Sequence, residues 1–271
     1  MEVIMILLRV LASLWYWFVL IFLAPIFYLA CLTALLVRDR KDPKRKWIGR
    51  ISCVWGSAYL WCNPFWRIRI VGREKLDSNR TTVYICNHQS SFDIYLLFRL
   101  FFPFQWVTKK SNFYVPFIGW NMRHNRSIGF ERGDRRETLR MVKECVKRLL
   151  EGISLIIFPE GERTPDGRMQ PFLGGAFAIA KRAEVPIQPM VLTGTYDVLP
   201  RYKFLVKAWG TMTLAILDPI PLDTVKEKST DELKDLAWRR MAEWLPPEAL
   251  PENWTPDQEV PSEVALSQTD P

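Results

Sequence analysis

The feature that most constrains this chain is its opening run. From Val3 to Val37 there are 35 residues of Leu, Ile, Val, Phe, Trp and other weakly polar types, and the only charge among them is Arg9. A helix crosses the hydrocarbon layer with roughly 20 apolar residues, so this run is long enough to span with length to spare. It is too long for the ~15-residue core of a secretion signal and has no small-residue cleavage site. Membrane residence follows. Pro25 offers a break in the helix, and Arg9 can extend its head toward phosphates. Arg38 to Lys46 then sets six basic residues against two acids, a flank that belongs on the cytoplasmic side against anionic headgroups. Trp47 to Cys62 repeats apolar residues at helical spacing and is rich in Trp and Tyr. It fits a helix at the lipid surface and a core helix equally well. A long helix, a basic turn and a second aromatic helix dipping into one leaflet is the arrangement preferred over a simple span.

Net charge adds a second constraint. The formal charge is +8, but Pro246 to Pro271 holds six acids, six prolines and no Lys or Arg, which leaves +14 on the 245 residues before it. A basic body suits anionic partners such as phosphorylated substrates or anionic lipid. Nucleic acid is excluded as a partner because the basic residues flank a membrane helix and carry no recognition motif. The tail is expected to remain flexible and unpacked. Three parts result: membrane helices over 1–65, a catalytic body over 66–245 and an acidic, proline-rich tail over 246–271. The cysteines Cys31, Cys53, Cys62, Cys86 and Cys145 form no C-x-x-C pair and read as reduced, small hydrophobes rather than staples or metal ligands.

Within the body, Trp66–Val71, Thr81–Cys86, Phe104–Lys109, Ile153–Phe158 and Ile187–Leu192 read as strands. Phe92–Phe102, Arg135–Leu150 and Gly175–Ala183 read as helices. Strands and helices interleave, which predicts an α/β domain, a sheet flanked by helices, with its polar residues in loops at strand ends.

Two such loops carry chemistry. One is Asn87-His88-Gln89-Ser90-Ser91-Phe92-Asp93, holding one of only two histidines in the chain. A buried carboxylate can hold an imidazole's tautomer and make it a general base. Five positions are about 500° around a helix, so the two side chains meet only if His88 sits on a turn and Asp93 opens the next helix. The bland alternative is a chance His with a helix-capping Asp. The other loop, Pro159-Glu160-Gly161-Glu162-Arg163, follows a buried strand and sets Glu, Gly and Arg together; a surface turn is its bland reading, especially over Thr164–Gly167. Phe130-Glu131-Arg132 adds a further guanidinium, whose planar fork suits a phosphate. His124 has no carboxylate partner in sequence and reads as a surface or acceptor-side residue. Ser90 and Ser91 lack a G-x-S-x-G elbow and read as turn formers; Cys86 reads as a strand residue.

Taken in order, Asn87-His88-x4-Asp93, Lys109-Lys110-x5-Pro116-Phe117-x-Gly119, Phe130-Glu131-Arg132, Phe158-Pro159-Glu160-Gly161-x-Arg163 and Val185-Pro186-Ile187-x-Pro189 resemble the glycerolipid acyltransferase family. The likeness is greatest to 1-acyl-sn-glycerol-3-phosphate acyltransferases and covers roughly residues 66 to 215. It implies an acyltransferase-type mixed sheet, with His88 as base, Asp93 holding its ring, and Lys109, Arg132, Glu160, Gly161 and Arg163 in substrate-binding blocks. The expected substrates are a lysophosphatidate and an acyl-CoA or acyl-carrier-protein thioester, taken at a phospholipid membrane with no metal or other cofactor. Glu162 stands where the family commonly has a small hydroxyl residue, and Arg126 and Phe113 also depart from its pattern, which leaves another lysolipid open as acceptor. Asp93 argues against the lipid A acyltransferase branch, which typically carries Glu there. A non-catalytic lipid-binding or membrane-tethering protein is the remaining alternative.

Overall fold

A computed structural model describes residues 2–261 other than 43, 253, 256, 257 and 259. A seven-stranded sheet forms its centre, made of β1 (Trp66–Val71), β2 (Val83–Cys86), β3 (Gln105–Lys109), β4 (Ile128–Phe130), β5 (Leu155–Ile157), β6 (Ile187–Thr193) and β7 (Gly210–Ile216). The spatial order is β1-β7-β6-β2-β5-β3-β4. All neighbours run parallel except β6 and β7, so the sheet is mixed. Strand alternation sorts the core into two layers. Val83, Ile85, Leu155, Val191 and Ala215 point to one face, where α5 (Arg135–Leu150), α6 (Gly175–Ala183) and α9 (Thr230–Ala242) pack. Tyr84, Cys86, Ile156, Leu192 and Leu214 point to the other. That second face is covered by α3 (Phe92–Phe98) and, outside it, by α2 (Lys46–Trp61) and α1 (Glu2–Ala34). The remaining helices are α4 (Ile118–His124), α7 (Thr195–Val198) and α8 (Leu222–Glu227).

Four expectations are corrected or decided by the structure. First, Pro25 does not break α1, which runs through it and ends in a π-helical turn, Leu35–Asp39. The proline forfeits one backbone hydrogen bond. Packing in the turn that follows it offsets that loss: Phe27 stacks on Trp55, and Tyr28 meets Phe117 and Trp120. Second, of the two readings left open for Trp47 to Cys62, the core one holds, and α2 is chiefly a core helix. Ile48, Trp55, Tyr59 and Leu60 are buried between α1 and α3, while Trp47, Val54 and Trp61 stay exposed. Its start is set by Asp39, which is buried and accepts from the backbone N–H of Trp47 (3.2 Å) and Ile48 (2.7 Å). Third, α3 stops at Phe98 rather than Phe102, because Phe101 turns left-handed (φ 56°) ahead of Pro103.

The fourth correction concerns the tail. Its described residues pack: Ala249 is buried and its carbonyl accepts from Met169 N–H at 2.8 Å, and Trp254 meets Trp238 edge to face at 4.8 Å. Residues 262–271 lie outside the described residues. The strands β4 and β7 and the helices α4, α8 and α9 lie beyond the elements that periodicity picks out.

Candidate active site

The loop between β2 and α3 is held from both ends. Asn87 donates to the Leu192 carbonyl (2.9 Å) and accepts from its N–H (2.7 Å), so its amide extends β2 toward β6 as a backbone would. Ser90 Oγ donates to the Leu199 carbonyl at 2.6 Å and accepts from Phe92 N–H at 3.2 Å, opening α3. His88 therefore stands on the turn and Asp93 in the first helical turn, and His88 Nδ1 lies 2.8 Å from Asp93 Oδ2. The same oxygen accepts from Gln89 N–H (2.7 Å) and Ser90 N–H (2.8 Å), while Oδ1 accepts from Thr195 Oγ1 (2.5 Å). Asp93 is fully buried, and four donors compensate for its lost water. A carboxylate only accepts, so the shared proton sits on Nδ1 and the neutral ring keeps its lone pair at Nε2. The imidazole also lies flat on Phe158, with ring centroids 3.8 Å apart and planes 13° off parallel.

The ring borders a cavity of about 750 Å³. Its walls are largely apolar, with Tyr95, Phe98, Phe104, Trp106, Ile118 and Met122 among them, and its polar edge includes Lys109, Arg132, Gly161 and Arg163. The structure thus brings four of the five residues anticipated for substrate contact to the cavity that holds His88. Lys109 ends β3, and Arg132 follows β4. Arg163 Nη1 donates to Ser91 Oγ at 2.7 Å, tying the two chemical loops together. Gly161 is left-handed (φ 78°), and a Cβ there would meet Leu173 at 2.7 Å, so the turn needs glycine.

Glu160 is the exception. It does not line the cavity; it is buried beside it, with Oε1 accepting from His88 N–H (2.7 Å) and Oε2 from Gln170 N–H (3.1 Å). Loss of solvent pushes its carboxyl well above the ordinary range, outweighing those two amide donors, and the charges of Asp93 and Asp166 push the same way. In this arrangement Glu160 bolts one loop to the other, with the Thr164 N–H to His88 carbonyl bond (2.8 Å) beside it. Burial likewise raises the Cys86 thiol far above its usual value, which leaves no reactive thiolate. His124 is half-buried with Nε2 3.2 Å from Tyr28 Oη, and burial, reinforced by Arg45, lowers its pKa.

Thr195 and Arg201 carry no sequence signal of their own. Thr195 follows β6 by one glycine, and only the fold sets it against Asp93. Arg201 donates to the Arg163 carbonyl (2.7 Å), to Tyr202 Oη (2.7 Å) and to Glu162 Oε2 (2.7 Å), and Arg132 Nη1 lies 3.8 Å from the same Glu162 oxygen. The residue that departs from the family pattern thus sits between two guanidiniums.

Comparison with known proteins decides the family. The acyltransferase family pattern matches residues 67–193, which include the two chemical loops. A 1-acyl-sn-glycerol-3-phosphate acyltransferase of Chlamydomonas reinhardtii is 37% identical over 201 residues, 74% of this chain and 59% of that protein. One from Saccharomyces cerevisiae is 32% identical over 202 residues, 68% of this chain and 66% of its own length. The chain belongs to the acyltransferase family. A chloroplastic 1-acyl-sn-glycerol-3-phosphate acyltransferase of Arabidopsis thaliana is 36% identical over 66% of this chain. This acyltransferase-family chain spans 59% and 50% of the lengths of the algal and plant relatives. The fold is shared with the solved 1-acyl-sn-glycerophosphate acyltransferase of Thermotoga maritima: the TM-score is 0.73 at 23% identity, over 87% of this chain and 95% of that one.

Proposed function

We propose that this acyltransferase moves a fatty acyl group from an acyl-CoA or acyl-carrier-protein thioester to the free hydroxyl of 1-acyl-glycerol-3-phosphate, giving phosphatidate. The observation that carries the reading is the Asp93-held His88 ring at the edge of a long apolar cavity rimmed by arginines. The alcohol is far too weak an acid to ionise alone at neutral pH. Its proton passes to His88 Nε2 as its oxygen attacks the thioester carbonyl, and Asp93 stabilises the imidazolium that forms. Collapse of the tetrahedral adduct expels the thiolate, and the ring returns its proton to that sulfur. Atoms balance without a metal or prosthetic group. Arg132 and Arg163 suit the acceptor's phosphate and the apolar walls suit an acyl chain.

For the membrane, α1 (with its π turn, Val3–Asp39) is long and apolar enough to cross. We read it as seated in one leaflet on the cytoplasmic side. From Ser13, which accepts from Val206 N–H, to Tyr28, beside His124, α1 stays against the catalytic body. Those residues cover ~22 Å at 1.5 Å each, most of a ~30 Å hydrocarbon layer, so a perpendicular crossing would draw the body into lipid. A second acceptor is favoured by one observation: Glu162 adds negative charge beside the arginines, which suits a lysolipid less anionic than lysophosphatidate.

Purified enzyme assayed with a panel of lysolipids and both donor types, with products read by mass spectrometry, tests both readings. His88→Ala should abolish transfer and Asp93→Asn reduce it about 10³–10⁴-fold, with membrane association retained. Full turnover by a clean His88→Ala preparation sinks the mechanism.

A further inference from the structure

A second cavity of about 610 Å³ lies between the turn after β3, the end of α4, β4 and α5. Charged residues lining it are Lys110, Arg123, Arg126, Arg140 and Arg148, against one carboxylate, Glu144. Three of the cations have acidic partners: Lys110 and Arg140 reach Glu137 at 3.7 and 3.1 Å, and Arg148 reaches Glu144 at 2.6 Å. Arg123 and Arg126 form no ion pair among the described residues, and Arg123 instead lies over the rings of Phe113 and Tyr114. Two donors on the cavity's lining are also buried without a hydrogen-bond partner, Ser127 Oγ and Arg148 Nε. Like charges held together with idle donors are the complement of a multiply charged anion. Guanidinium forks in particular match phosphate oxygens.

We infer that this cavity is a second phosphate site, separate from the arginines beside His88, and that Arg123 and Arg126 are its free ligands. Ser127 and Met141 line both this cavity and the catalytic one, so the two adjoin. A thioester whose acyl end lies along the apolar walls can reach the second cavity with its nucleotide phosphates. Arg45 of the basic turn also lies near enough to Arg126 for the two cations to repel, so a phospholipid headgroup at the membrane surface can reach it too. The ligand chemistry is the same in both cases, and only the first rests on the acyl-transfer reading.

The test uses the whole chain carrying Arg123→Gln with Arg126→Asn. Asparagine tolerates the left-handed backbone at 126 (φ 57°). In neutral detergent, calorimetry measures binding of CoA and of dephospho-CoA. Separately, flotation measures binding to phosphatidylcholine vesicles with and without phosphatidylglycerol. A fall in CoA affinity of about tenfold or more identifies the donor's phosphates as the occupant: the 3′-phosphate if dephospho-CoA, which lacks only that group, is less affected, and the diphosphate if both fall alike. A similar fall restricted to the phosphatidylglycerol vesicles identifies a headgroup. Either supports the site. Arg123→Glu, which keeps residue 126, should repeat the loss more strongly. Unchanged binding in both arms, in variants with wild-type circular dichroism, overturns it, as does a wild-type protein that binds neither CoA nor phosphatidylglycerol vesicles above phosphatidylcholine ones. Acyl transfer by the wild type is measured alongside; its absence with phosphate binding intact would remove the proposed activity and leave this site standing.

Discussion

Glu160 shows how a residue's chemistry depends on which atoms reach it. The family resemblance implies substrate binding, yet both carboxylate oxygens are spent on the backbone of His88 and Gln170. Its folded pKa lies above the unfolded value of 4.5, so its contribution to stability is fullest below pH 4.5 and is lost as pH rises toward the native value. Glu160→Gln removes that titration but sets an amide N–H against a backbone N–H. We expect a cost of about 1–3 kcal/mol at acidic pH that narrows as pH rises, read as denaturation midpoints between pH 4.5 and 8. Parallel pH profiles for the two proteins would show that Glu160 does not titrate in this window. Glu162 gives the second prediction at this scale. It occupies Arg132 and Arg201 from an exposed position, so Glu162→Thr should free Arg132 and lower the acceptor KM by about two- to fivefold, leaving donor KM unchanged. A raised acceptor KM would mean that the carboxylate's main service is holding Arg201 on the Arg163 carbonyl.

At the scale of elements, helices and strands behave as their neighbours permit. Pro25 stays inside α1 because aromatic contacts at Phe27 and Tyr28 hold the helix just beyond it, and Tyr59 Oη donates to the Leu20 carbonyl (3.1 Å) before it. The contact of α2 with α3 needs Gly56, where a Cβ would lie 2.5 Å from the Phe98 ring. Gly56→Ala should cost about 1–3 kcal/mol and, since both residues line the catalytic cavity, narrow it; wild-type stability and wild-type preference across acyl chain lengths would sink this. The tail from Pro246 is expected from its composition to stay unpacked, and the packing of its described residues reverses that expectation. Deleting 246–271 uncovers Trp238 and removes Ala249 and Trp254 from the core, which should lower the denaturation midpoint measurably, with Trp254→Ala alone costing about 2 kcal/mol. A truncated chain as stable as the full one would show the contact to be idle.

Across the whole molecule, the membrane element and the catalytic body form one structure. Tyr16 of α1 is buried among Trp66, Phe92 and Tyr95, donating to the Tyr95 hydroxyl at 3.3 Å, and Trp17 Nε1 donates to the Phe204 carbonyl at 2.9 Å. The helix is thus a wall of the fold, whatever its long apolar outer face meets. Tyr16→Ala should cost about 3–5 kcal/mol and lower the Tm of the entire protein in detergent in one transition. Two separate transitions, with the catalytic one unmoved, would mean that α1 is an independent anchor.

Periodicity and composition alone determined much of this. The helices Arg135–Leu150 and Gly175–Ala183 and the strand Trp66–Val71 run where the pattern puts them, since each buries one face and local spacing records that face. The turn-then-helix layout of His88 and Asp93 was legible for a similar reason, since five residues apart leaves no other way for them to meet. What the linear chain does not record is contact between distant segments. Thr195 reaches Asp93 across 102 positions, Glu160 reaches His88 across 72, and Arg201 reaches Glu162 across 39. Such pairings arise only when the order β6-β2-β5 sets three strand ends side by side, because a hydrogen bond is decided by ångströms in space and periodicity along a chain measures only which way a side chain faces.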